Sequence, residues 1–189
     1  PGGKYLLGTD EFGRDVLSRI IYGARVTLLV GAVAVGISLV AGTLIGMFAA
    51  FRRGWVEALL MRSTDVLFSF TETLIALSFV AVLGPSLQNA VIAVGVAGIP
   101  FYARTCYSAA LVERSKPYFE ASIAAGAGSA RLVFLHLLPN VLTTMIVIAT
   151  LGVSTAILAA AGLSFLGLGA QPPTSEWGYM LAGSRDYIN

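Results

Sequence analysis

Two carboxylates stand within one apolar run, Asp65 and, seven residues later, Glu72, in the stretch from Leu59 to Leu83 that also holds Arg62. Seven residues are close to two helical turns, so an unbroken helix would carry both on nearly the same face. An ionised side chain in the middle of a bilayer-crossing helix costs about 2.5–3.5 kcal/mol unless it is paired or wet. Glu72 is therefore expected to face another helix or a water-filled path. Two readings fit it. It lines a pathway with Asp65 and attracts a cationic group, such as an amino terminus, or a neighbouring hydroxyl or backbone group satisfies it. Nothing else assembles into a reactive set. His136 is the single histidine and Cys106 the single cysteine, so neither a metal cluster nor an internal disulfide is expected. His136 reads as an interfacial side chain near a helix C-terminus, and Cys106 as a small packing residue. No G-x-x-x-x-G-K-[ST] phosphate loop, G-x-S-x-G elbow or H-E-x-x-H pair occurs. Catalytic residues, metal ligands and bound cofactors are thus all expected to be absent from this chain, which does not read as an enzyme.

The elements that position these residues follow from composition. Hydrophobic residues make up 57% of the chain and charged ones 12%. A soluble domain carries about a quarter charged residues, so the solvent of this chain is expected to be lipid. The net charge of +2, without a basic run, gives no sign of nucleic acid. The expected fold is all-α, a polytopic bundle with spans near 26–51, 59–83, 87–103 and 141–163. Residues 1–25 form a lead-in in which Asp15 to Tyr22 reads as a short interfacial helix. Pro100 is expected to kink or end the third span. Residues 170–189, with Gln171-Pro172-Pro173, form a closing loop. In the first span Ala34, Ser38, Gly42 and Gly46 recur every fourth residue, a small-residue stripe for close helix packing.

Four spans place 52–62 and 104–140 on one side. That side carries Arg52, Arg53, Arg62, Arg104, Arg114, Lys116 and Arg131, against Lys4, Arg14, Arg19, Arg25 and Arg185 on the other. The bias puts 104–140 in the cytoplasm. Within it Pro117 suits a first helical position, Tyr118 to Ala125 a short helix and Gly126-Ala127-Gly128 a turn. Ser129 would cap a second helix that runs through Leu138 and is broken by Pro139-Asn140. Such a hairpin is either stiff enough to transmit force from a partner or an ordinary interfacial loop.

Residues Glu120-Ala121-Ser122, then Gly126, then Leu138-Pro139 resemble the EAA loop of bacterial ABC importer permeases, with Ser122 where the second alanine usually stands. LLGTDEFGRDVLSRIIYGAR (Leu6 to Arg25) and LSFLGLGAQPPTSEWGYML (Leu163 to Leu181) resemble the opening and closing extracytoplasmic segments of the dipeptide, oligopeptide and nickel subfamily, most of all its C-type dipeptide permeases. The resemblance covers essentially the whole chain. It implies the type I importer permease fold, with four of six spans present and a chain truncated at both ends. It also implies a multi-pass place in the bacterial inner membrane. Partners would be a second permease in a heterodimer, two ATPase subunits that hold ATP and Mg, an extracytoplasmic substrate-binding protein, and lipid. The loop would dock in a cleft of an ATPase subunit through Tyr118, Glu120, Ala121, Ser122, Gly126, Ala127, Leu138 and Pro139, with Glu120 and Gly126 as contact and turn residues. Peptide, nickel and glutathione systems share these motifs. An ion-coupled secondary carrier, supported by Glu72 and the Gly95 to Pro100 break, and a membrane-embedded hydrolase are the competing readings.

Overall fold

A computed structural model describes residues 5–52 and 54–185; Lys4 and Arg53, counted above, lie outside them, as do residues 186–189. The described chain is mainly helical, and an isolated bridge joins Thr9 and Asp15. Helix α1 spans Val16–Phe51, α2 Trp55–Phe68, α3 Glu72–Leu83, α4 Leu87–Arg114 and α5 Pro117–Ala124. A short α6, Ser129–Arg131, enters a π-helical stretch, Leu132–Leu137, which continues into α7, Leu138–Phe165. Helix α8, Trp177–Ser184, closes the described chain.

Four boundaries differ from the sequence expectation. The separate interfacial helix near 15–22 and the span near 26–51 are one helix. Asp15 caps it, accepting the Ser18 N–H at 3.1 Å, and no residue between Val16 and Val26 breaks the pattern. The span expected at 59–83 is broken: α2 and α3 meet at 89° around Ser69, Phe70 and Thr71. There the Ser69 hydroxyl donates to the Asp65 carbonyl at 2.9 Å, and the Phe70 N–H bonds Leu67 at 3.2 Å, a tightened last turn that ends α2. No proline or glycine marks the break. The third span runs past the expected limit near 103, since α4 continues to Arg114 with Pro100 inside it. Packing along α1 holds the helix together, with the Ser38 hydroxyl donating to the Gly95 carbonyl at 2.6 Å. Pro139 does not break its helix either. The π stretch precedes it, with Leu138 N–H bonding Val133 five residues back, and the Asn140 amide donates to the His136 carbonyl at 2.7 Å. Ser129 is the first residue of α6, and Gly128 holds the cap position. The loop expected at 104–140 is therefore shorter, since its first eleven residues belong to α4.

Helix α4 is the axis. It packs on α1, α3 and α7, and α1 also packs on α7. Ala34, Ser38, Gly42 and Gly46 are buried on the α4 side of α1. A Cβ at Gly42 would lie 2.5 Å from the Tyr102 Cβ, and one at Gly46 2.9 Å from the Cys106 Cβ. From the opposite helix, a Cβ at Gly98 would lie 2.6 Å from the Ser38 hydroxyl. Only hydrogen fits at these points, so the two backbones approach closely. The outward sides of α1 and α7 stay apolar and exposed, with Leu28, Leu29 and Leu44 on one and Ile146, Leu151 and Leu158 on the other. Among the described residues three helical rods, α1, α4 and Ser129–Phe165, are long and apolar enough to cross a bilayer, and the bent pair α2–α3 is apolar enough to count as a fourth if its two halves form one span.

The lead-in and the closing segment meet at one end. Asp10 accepts the Phe12 N–H at 2.9 Å and the Arg14 N–H at 2.8 Å, and pairs with the Arg14 and Arg19 guanidinium groups. Burial alone would raise its pKa. The Arg14 backbone bond, then the two arginine side chains and the Phe12 N–H, outweigh burial and hold it well below the usual carboxylate range. Arg19 Nε donates to Ser175 Oγ at 3.2 Å, and Trp177 Nε1 to the Ile20 carbonyl at 3.0 Å. Glu176 is buried and accepts the Gly178 and Tyr179 N–H groups, both at 2.9 Å, capping α8.

Gly46→Ala is expected to lower the thermal unfolding midpoint of the detergent-purified protein, by the equivalent of about 1–3 kcal/mol of overpacking. Gly36→Ala, where an added Cβ meets nothing within 4 Å, is the control and leaves the midpoint unchanged or slightly higher.

Candidate functional site

Two places carry chemistry, the hairpin that leaves α4 and a cleft at the α2–α3 break. The hairpin is anchored before it begins. The Arg114 guanidinium donates to the Ala50 carbonyl at the end of α1, and its carbon lies 6.0 Å from the centroids of both the Phe51 and Phe119 rings. A cation there also complements the C-terminal dipole of α1. Phe119 is 2% exposed, the one buried residue of α5. Glu113, also buried, accepts from Lys116 Nζ at 2.7 Å and from the Tyr118 hydroxyl. Burial, then the hydrogen bond to the Glu113 carboxylate, pushes the Tyr118 phenol up to about 12. It thus stays a donor throughout the physiological range. The Asn140 amide donates to the Tyr118 oxygen at 3.4 Å, and the His136 ring lies 6.4 Å from the Tyr118 ring. Tyr118 therefore joins α4, α5 and the start of α7.

The turn is a Schellman closure. Gly126 has φ +79°, its N–H bonds the Ile123 carbonyl at 2.9 Å, and the Ala127 N–H bonds the Ser122 carbonyl at 3.1 Å. Ala127 packs against the core while Gly126 is exposed. The Ser122 hydroxyl turns back to the Tyr118 carbonyl at 2.8 Å. Glu120 and Ala121 face outward, and so do the apolar Ile123, Phe134 and Leu135. Leu138 is half-buried and Pro139 exposed at the start of α7. The result is a tethered, partly apolar knob with one carboxylate on it. Glu113, Arg114 and Phe119 were not singled out from sequence. The i, i+3 spacing of Glu113 and Lys116 just before Pro117 was the available signal.

At the break, Glu72 opens α3 instead of standing mid-helix, and the bend takes it off the face that carries Asp65. Asp65 pairs with Arg104 of α4. Both side chains of that pair are nearly half exposed, which limits its value to about 0.2–1 kcal/mol. The two carboxylates expected to act together are thus separated. Glu72 enters no ion pair or hydrogen bond among the described residues. It lines a cleft of about 250 Å³ together with Phe68, Phe70, Ile75, Pro100 and Phe101. Pro100 and Phe101 are the central residues of α4, so the cleft lies against the middle of that helix. The positive end of α3 favours the carboxylate by about 1 kcal/mol. Deeper in, the Tyr102 hydroxyl is buried against Gly152 of α7 with no hydrogen-bond partner among the described residues.

The family described as binding-protein-dependent transport system inner membrane component matches residues 42–184. A di/tripeptide transport system permease protein of Pseudomonas aeruginosa is 50% identical over 98% of this chain and 61% of its own length. A dipeptide transport system permease protein of Alkalihalophilus pseudofirmus is 46% identical over 100% of this chain and 62% of its own length. A glutathione transport system permease protein of Pectobacterium atrosepticum is 39% identical over 98% and 62%. The chain thus spans somewhat over three-fifths of the length of these relatives. Among solved structures, a chain of the inward-facing MetNI methionine ABC transporter superposes with a TM-score of 0.75 at 21% identity, over 91% of this chain and 82% of that one. That likeness establishes the fold, the type I importer permease bundle.

Gly126→Ala places a side chain at positive φ, a strain of about 1–2 kcal/mol. Faster amide hydrogen exchange across 117–127 is the expected result, and Tyr118→Phe, which loses the bond to Glu113, should accelerate exchange in the same segment. Exchange unchanged in both variants would show that neither contact holds the knob.

Proposed function

The chain belongs to the family of binding-protein-dependent transport system inner membrane components, and from that premise we propose that it is a permease subunit of an ATP-driven importer of di- or oligopeptides. The observation that carries the substrate class is the 50% identity, over nearly the whole chain, to a protein named as a di/tripeptide permease. The partners are a second permease, two ATPase subunits and an extracytoplasmic binding protein, assembled in a bacterial inner membrane. ATP and Mg belong to the ATPase subunits, and this chain contributes the path and the lever.

The lever is the hairpin. Glu120, Ala121 and Gly126 present its outer surface to an ATPase cleft, and Ile123, Phe134 and Leu135 offer apolar area for that contact. ATP closes the two ATPase subunits and displaces the knob. The displacement passes through Glu113 and Tyr118 to α4, through Asn140 to α7, and through Arg114 to the end of α1. Because α4 packs on α1, α3 and α7, these helices move together and the bundle rocks between inward- and outward-open states. A stiff junction transmits such a movement, whereas a flexible loop would absorb it. A second reading, the same machine importing glutathione, draws on the 39% identity to a glutathione permease.

The test is the ATPase activity of the reconstituted transporter that contains this chain, with dipeptides, longer peptides, glutathione and nickel added in turn. Dipeptides are expected to stimulate it most strongly. Stimulation by glutathione or nickel alone overturns the peptide assignment. If no ATPase subunit assembles with the permease, the importer reading fails.

A further inference from the structure

The cleft at the α2–α3 break has a composition that the coupling mechanism does not explain. One side supplies Glu72, a carboxylate without a hydrogen bond or counter-ion among the described residues. The rest is apolar and aromatic, with Phe68 and Phe70 from the end of α2 and the break, Phe101 from α4, and Ile75 and Ala97 beside them. No lysine or arginine lines it. Arg104, one turn further along α4, is engaged by Asp65. The volume of about 250 Å³ exceeds what one or two waters fill and suits a small organic group.

We propose that this cleft is a cation subsite on the transport path, which takes the primary ammonium of a substrate's amino terminus between the Glu72 carboxylate and the faces of Phe68, Phe70 and Phe101. The proposal rests on the peptide-importer reading and names the part of the peptide that this chain recognises. Its chemistry follows from the lining. A carboxylate gives an ammonium a charged acceptor, and aromatic faces attract the same cation through their quadrupoles. A carboxylate terminus would meet repulsion and no donor. The bend exposes the site as a straight helix could not. Ending α2 at Phe68 and restarting at Glu72 turns three consecutive residues out of helical register, so Phe70 and Glu72 reach one opening. Glu72 is then a specificity-determining residue, and its partner is the passing substrate.

The experiment uses the assembled transporter with Phe70→Cys as the reporter; the native Cys106 is buried and fully enclosed. Labelling rates are measured with a cationic and an anionic methanethiosulfonate reagent, in the Glu72 background and in Glu72→Gln. The cationic-to-anionic rate ratio is expected to fall about tenfold in Glu72→Gln, a modest value for removal of one unit charge a few ångströms away. Glu72→Asp should restore most of it. A dipeptide with a free amino terminus should slow labelling in the Glu72 background, and its N-acetyl form should not. An unchanged ratio overturns the inference, as does a Phe70→Cys thiol that reacts with neither reagent, since the cleft would then lie off the aqueous path. If the ratio falls but no peptide protects, uptake decides. A transporter that still imports the dipeptide overturns the ammonium subsite, whereas one that imports no peptide overturns the peptide reading beneath it.

Discussion

The close approach of α1 to α4 is the constraint from which the other features follow. Gly42, Gly46 and Gly98 leave room for no Cβ, and Ser38 bonds across the gap to Gly95. In a hydrocarbon solvent apolar side chains gain little by leaving lipid for one another, so such backbone contact and cross-helix hydrogen bonds carry much of the association. The crossing fixes the line of α4. That line in turn places Phe101 on the cleft, Arg104 opposite Asp65, and Glu113 and Arg114 at the root of the hairpin.

The two functional regions are therefore ends of one rigid object. Between Pro100 and Arg114, α4 is helical without a break and buries Tyr102, Ala103, Cys106, Ala110 and Glu113 along one side. A helix of that kind carries a movement imposed at its Arg114 end to the middle of the bundle. The aromatic cleft and the knob share this helix, so in the proposed importer substrate position and ATPase engagement would act on the same body, which is the physical content of coupling between separate sites.

Much of this was legible in the sequence. The three long crossing helices follow from apolar runs, and Pro117 and Gly126 lie where the helix start and the left-handed turn lie in the structure. The misplacements share one cause. Pro100 and Pro139 mark helix ends in water, but in a packed or π-widened membrane helix neighbouring groups accommodate them. The reverse failure is the 89° bend, which Ser69, Phe70 and Thr71 make without any strong breaker. It depends on local side-chain-to-backbone bonding and on packing against α4, and neither has a periodic signature. For the same reason the Asp65 and Glu72 spacing misled, because a period of seven means one face only while the helix remains whole. Glu113 and Phe119 escaped notice because their role depends on burial, which a single sequence shows poorly near a helix end.

The clasp between the chain's two extremities has a consequence for assembly order. Trp177 and Ile20 are 157 residues apart in sequence yet share a hydrogen bond, and Arg19 reaches Ser175 across 156. The membrane-crossing lengths of α1, α4 and α7 lie inside that closed loop. Ribosomal synthesis delivers α1 long before Trp177, so early spans must find their neighbours while this end is still open. Closing the clasp needs α7 in place, since Gly178 sits against the backbone of Ala161. It works as a latch across the helices between, whose packing meets much of the loop-closure entropy it requires.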